Sequence, residues 1–142
     1  MADVAVVRKR VKTAIEQARR EQAERRGRVT EATKTYDGFL KDAAIPVFKM
    51  FANILKSEGL HFEVMTPAGG VRLQSERQRD DCIEMELDTT ADPPQPLVTI
   101  TRVRGSRIVR SDRSIKGSNP LVQLAEEDVI EMLLEELPPW LL

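Results

Sequence analysis

The stretch that decides the fold is Phe62-Glu63-Val64-Met65-Thr66-Pro67-Ala68-Gly69-Gly70-Val71-Arg72-Leu73-Gln74-Ser75. Phe62, Val64 and Thr66 alternate on the way out, Val71, Leu73 and Ser75 alternate on the way back, and Pro67-Ala68-Gly69-Gly70 lies between them. A period of two is strand chemistry and a proline- and glycine-bearing tetrapeptide is turn chemistry, so the segment reads as a β-hairpin. Val64 then stands opposite Leu73 with both on one face.

Downstream the period of two persists. Ile83, Met85 and Leu87 alternate with Cys82, Glu84, Glu86 and Asp88, which predicts a half-buried third strand after the charged connection 76–80. Thr90 to Pro96 carries prolines at 93, 94 and 96 and reads as a loop, because proline removes the N–H that a ladder needs. Leu97 to Arg104 is a fourth strand, Gly105-Ser106 a two-residue turn, and Arg107 to about Ile115 a fifth. Connections this short give antiparallel neighbours. Gly117-Ser118-Asn119-Pro120 ends the sheet, and Val129, Ile130, Leu133, Leu134 and Leu137 mark a closing helix stopped by Pro138-Pro139. Glu126, Glu127 and Asp128 suit the positive end of that helix, whereas Glu135 and Glu136 sit at its negative end, which implies a cation close by.

Upstream the pattern is helical. Ile45, Val47, Phe48, Met50, Phe51, Ile54 and Leu55 give a broad apolar face, and Gly59 follows as a stop, so residues 43–58 are the core helix. Pro46 fits a first turn, which predicts a bend near Asp42 to Pro46. From Asp3, an N-cap, to about Lys41 there is no proline, and Val4, Val7, Val11, Ile15, Ala18, Val29, Ala32, Tyr36 and Leu40 recur at steps of three and four. That is a long helix with a thin apolar stripe. The stripe fails around Glu24 to Arg28, and Gly27 predicts a weak point there, since glycine costs a helix interior about 1 kcal/mol.

The expected architecture is therefore α+β: long N-terminal helix, core helix, five-stranded antiparallel meander and C-terminal helix. Residues 1–42 form a basic amphipathic arm for oligomerisation or docking, and residues 43–142 an α+β domain.

Composition bounds the chemistry. The chain has 142 residues, 41% hydrophobic and 32% charged, enough for one domain with a real core. Cys82 is the only cysteine and His61 the only histidine, so an internal disulfide is excluded and a His/Cys zinc site runs out of ligands after two. No cofactor, metal or catalytic residue is expected, and His61 reads as a surface histidine. With neither a membrane span nor a secretory leader in the pattern, the expected location is cytoplasmic.

Charge is laid out in blocks. Residues 1–42 carry 11 Lys/Arg against 7 Asp/Glu, 43–96 carry 5 against 9, 97–117 carry 6 against 1, and 118–142 carry none against 6. Alternating signs predict that basic and acidic elements face one another, within the fold or between copies. With Glu86 opposite Ile100, the third strand's Glu84, Glu86 and Asp88 would share a face with Arg102, Arg104, Arg107 and Arg113 and pair across strands.

The functional expectation is a non-enzymatic interaction or adaptor protein that self-associates, as a coiled coil or otherwise, or docks on a larger assembly. Its partner-binding residues would be Val4, Val7, Val11 and Ile15 on the arm, Arg102, Arg104, Arg107 and Arg113 on the strands, and Trp140 in the tail. A second reading is nucleic-acid association through the arginine strands 102–116 and the basic helix, although no aromatic for base stacking lies between Phe62 and Trp140. A third is a small secretion-type or holding chaperone. No membrane partner is expected. The apolar tail Trp140-Leu141-Leu142 is expected to pack back onto the core.

Overall fold

A computed structural model describes residues 3–117 and 120–141. Ser118 and Asn119 of the expected sheet-ending turn, and Leu142 of the tail, lie outside the described residues. The architecture is α+β: helices α1 (Val4–Phe39) and α2 (Ile45–Ser57), strands β1 (Phe62–Met65), β2 (Gly70–Ser75), β3 (Cys82–Asp88), β4 (Gln95–Arg104) and β5 (Arg107–Arg113), then helix α3 (Glu126–Glu136).

Asp3 caps α1, its carboxylate accepting from the Ala5 N–H at 2.9 Å. α1 passes through Gly27 unbroken. The reason is tertiary: Arg25 donates to the Thr89 and Thr90 carbonyls at 3.4 Å, and Arg28 grips Asp92 at 3.1 and 3.2 Å, so contacts on either side hold the glycine in the helix. Before Pro46, where the sequence predicts a bend, the helix widens into a π-helical turn, Leu40–Ala44, in which the Ile45 N–H reaches the Leu40 carbonyl. The wider turn accommodates the missing donor and the ring of proline without ending the helix. The domain limit drawn at residue 42 accordingly has no break to mark it, and Tyr36 and Leu40 belong to the core. Burial, and then the nearby carboxylates Glu86 and Asp37, push the Tyr36 phenol well above its usual range.

The sheet order is β1-β2-β3-β4-β5, an antiparallel meander. The hairpin register is as the sequence implies, Val64 opposite Leu73. Gly70 is needed where the chain enters β2: a Cβ there would stand 2.8 Å from the Met85 carbonyl oxygen. Gly59, at φ +83°, ends α2 with the Leu60 N–H returning to the Leu55 carbonyl at 2.8 Å. β4 starts at Gln95, two residues earlier than expected, and β5 stops at Arg113.

One face of the sheet is covered. Val71, Leu73, Ile83, Met85, Val98 and Ile100 pack with Val47, Phe48 and Phe51 of α2 and Val129, Met132 and Leu133 of α3. Each such side chain contributes about 1.5–3 kcal/mol on leaving water, so this layer holds the domain together. β5 lies beyond the helical cover and is exposed almost throughout.

Candidate interaction site

The arm leaves the domain at its last anchor, Arg25. All of residues 4–24 are exposed, including every member of the expected apolar set: Val4 at 71%, Val7 at 45%, Val11 at 51% and Ile15 at 45%. At 3.6 residues per turn these four lie on the same side of the helix as the half-buried Val29 and Ala32 and as Tyr36 and Leu40, the last two of which pack in the core. The helix therefore runs about 30 Å past the last anchor with nothing beneath it, and after the polar gap at Gln22 to Arg28 its apolar side chains from Ala18 back to Val4 resume in phase over about 20 Å. Where it meets the domain, Gly27, Arg28, Ala32, Pro93 and Pro94 line an open groove of about 750 Å³. A second groove of about 340 Å³ on Pro93 and Pro94 adds Thr35, Pro120, Leu121 and Val122.

The strand arginines do not meet the strand acids. The β3–β4 register puts Ile83 opposite Ile100, Glu84 opposite Thr99 and Glu86 opposite Leu97, three residues from the expected pairing. An odd slip exchanges the faces of a strand. Val98 and Ile100 point into the core beside Ile83 and Met85, and Arg102 and Arg104, of the same parity on β4, fall on that helix-covered face. Glu84, Glu86 and Asp88 lie on the uncovered side, where Glu84 approaches Arg72 at 4.0 Å. The expected pairing of Arg102, Arg104, Arg107 and Arg113 with Glu84, Glu86 and Asp88 is thus replaced by another.

Arg102 and Arg113 reach α3. The Arg102 guanidinium donates through Nη2 to the Glu136 carbonyl at 2.7 Å and to its carboxylate at 2.9 Å. Arg113 Nη1 donates to Glu135 Oε2 at 2.7 Å and Glu136 Oε1 at 3.0 Å, while its remaining nitrogens hold the Ser114 and Ile115 carbonyls. These are the cations that the misplaced acids at the negative end of α3 call for. Burial opposes the charge on Glu136, but the hydrogen bonds from Arg102 and Arg113 outweigh it and hold the carboxyl below its usual range. Lys116 pairs likewise with Asp128 at 3.3 Å. Arg104 and Arg107 are left exposed.

Trp140 folds back onto this clasp. Its ring lies 5.8 Å from that of Phe62, with the Arg102 guanidinium 5.0 Å from its centroid. The tail from Leu137 to Trp140 is part of the fold, with Leu137 buried.

Two features escape a reading of the sequence. The first is the pair of arm anchors, Arg25 and Arg28, for which only the acidic Asp92 in the proline loop is a clue. The second is on α3, where Leu134 is 54% exposed and Ile130 half-buried, with Glu127 and Glu131 exposed beside them. Its signal is an apolar arc too broad for one buried face. His61 is exposed, and Cys82, although on the uncovered side of the sheet, is buried, accepting from Arg72 at 3.4 Å.

Among the described residues no cluster of three His, Cys, Asp or Glu side chains is placed to hold a metal, and no helix is long and apolar enough to cross a membrane. No family model matches the chain, and neither a curated protein nor a solved structure matches it.

Proposed function

We propose that the chain is a non-enzymatic interaction protein that associates through its N-terminal helix, with Val4, Val7, Val11 and Ile15 as the docking seam. The observation that carries this reading is the in-phase, uncovered stripe: a helix that shows its apolar face to water over several turns is incomplete until something lies on it. The small and β-branched side chains of the seam suit close approach of a second helix.

The nucleic-acid reading keeps one supporting feature, the exposed Arg104, Arg107 and Arg110, in addition to the basic arm. It loses weight because Arg102 and Arg113 already serve α3.

Site-specific photo-crosslinking of the full chain in its native cell separates the two. A photoreactive residue at Val7, Val11 or Ile15 is expected to capture protein, whereas the same group at Lys9 or Arg20, on the opposite side of the helix, is not. Equal capture from both sides, or none from either, overturns the docking reading. Capture of nucleic acid instead of protein transfers the case to the alternative.

A further inference from the structure

Granted the arm as a docking element, the reading on which this rests, we propose that its acceptor is the α3 face of a second copy of this chain. The first reason is charge. Residues 4–24 carry Arg8, Lys9, Arg10, Lys12, Arg19 and Arg20 against Glu16, Glu21 and Glu24, a net plus three. Two arms laid together would bring like charges well inside a Debye length of about 8–10 Å. α3 carries six acids, Glu126, Glu127, Asp128, Glu131, Glu135 and Glu136, and no base. Asp128, Glu135 and Glu136 are engaged within the fold by Lys116, Arg113 and Arg102. Glu127 and Glu131 are exposed and make no ion pair among the described residues.

The second reason is shape. Leu134 is exposed on α3, and Ile130, one turn before it, is half-buried at the edge of the core, so the two make a row that Glu127 and Glu131 border on the solvent side. Val7 and Val11, and again Val11 and Ile15, have the same four-residue spacing on the arm, edged by Arg8, Lys12 and Arg19. The α3 row has an acidic border, and the arm row has Arg8, Lys12 and Arg19 along one side and Arg10 and Glu21 along the other, so a basic border of the arm can face the acidic border of α3. Laid together, the rows bury Leu134 and the arm valines while Glu127 and Glu131 meet the arm's arginines and lysine.

Sedimentation equilibrium on the purified full chain tests this. Self-association is expected, weakened about tenfold or more, equivalent to 1.4 kcal/mol, both by Arg8→Glu/Lys12→Glu/Arg19→Glu and by Glu127→Lys/Glu131→Lys. A mixture of the two variants is expected to associate again, because each supplies the charge the other lacks. An unchanged urea midpoint for the α3 variant guards against loss of fold. A wild-type chain that stays monomeric overturns the second copy as acceptor, yet leaves the docking reading standing if the stripe still crosslinks to another protein. Association that ignores Glu127→Lys/Glu131→Lys but vanishes with Val7→Asp/Val11→Asp means arm against arm and also overturns it, as does a mixture that fails to associate.

Discussion

Arg102→Ala is expected to loosen the C-terminal helix from the sheet and to cost the whole domain about 3 kcal/mol. The substitution removes the donor to the Glu136 carbonyl at 2.7 Å, the ion pair to its carboxylate at 2.9 Å, and the cation over Trp140 at 5.0 Å. Breaking a buried pair by deleting one partner costs about 3–5 kcal/mol. Here the two side chains keep 16% and 18% exposure, and Glu136 retains Arg113, so the loss from the pair and the cap is nearer 2 kcal/mol. The stacking adds about 0.5–1 kcal/mol. For a chain of this size that lowers Tm by roughly 10 °C. Urea and thermal melts followed by far-UV circular dichroism and by the single tryptophan report it, with Arg104→Ala, an exposed arginine of the same strand, held to within about 0.5 kcal/mol of wild type. If Arg102→Ala and Arg104→Ala melted together, the clasp would contribute nothing and the assignment of Arg102 to the fold would be wrong.

Glu136→Gln should flatten the acid limb of stability. Its depressed carboxyl contributes stability that is present above the unfolded value, near 4.3, and lost as pH falls through the lower folded value, so urea midpoints between about pH 5 and 3 should fall less steeply in the variant. Gly70→Ala should cost about 1–3 kcal/mol, because its Cβ would sit 2.8 Å from the Met85 carbonyl oxygen and β2 must shift; an unchanged urea midpoint would refute that contact. Gly27→Ala meets nothing within 4 Å and should slow amide exchange along the arm several-fold, by up to about 1 kcal/mol of local helix stability, and equal exchange rates would place the arm's opening elsewhere. Trp140→Ala should cost about 1–4 kcal/mol, and Trp140 in the intact protein should resist iodide quenching, since its ring is clamped between Phe62 and Arg102.

The hairpin register was legible and the β3–β4 register was not, for a single physical reason. In the hairpin the loop is four residues long and carries its own turn chemistry, so Val64 and Leu73 have one way to meet. Between β3 and β4 the connection holds Pro93 and Pro94, and β4 itself takes up Gln95 and Pro96, pairing Pro96 with Leu87. Composition marks such a stretch as a loop but says nothing about how many of its residues join the ladder, and an odd error inverts both faces. The face could still be inferred from the far end of the chain. Two glutamates at the wrong pole of α3 require cations; Arg102 shares the parity of Val98 and Ile100 and Arg113 stands opposite Val98, and the observed β3–β4 register turns that face inward, toward α3.

The arm was legible as a helix but not as an uncovered one, because its stripe is in phase with the buried Tyr36 and Leu40 and a helical pattern does not say where the domain beneath it stops. That continuity has a consequence for binding. An isolated helix of some twenty residues is marginal in water, since nucleating the first turn is unfavourable by a factor of about a thousand. Residues 4–24 do not face that step: α1 continues from residues packed on the core, and the anchors Arg25 and Arg28 hold its last docked turn against the proline loop. The arm is thus extended and helical before any partner arrives, and the ordering cost that a disordered tail would incur on docking is largely removed. Under the proposed docking, a short seam of valines and one isoleucine, too small to support folding upon binding, would suffice. The same economy explains why the sequence tolerates Gly27 at the exit of the arm: the flanking arginine contacts, rather than helix propensity, carry the helix past it.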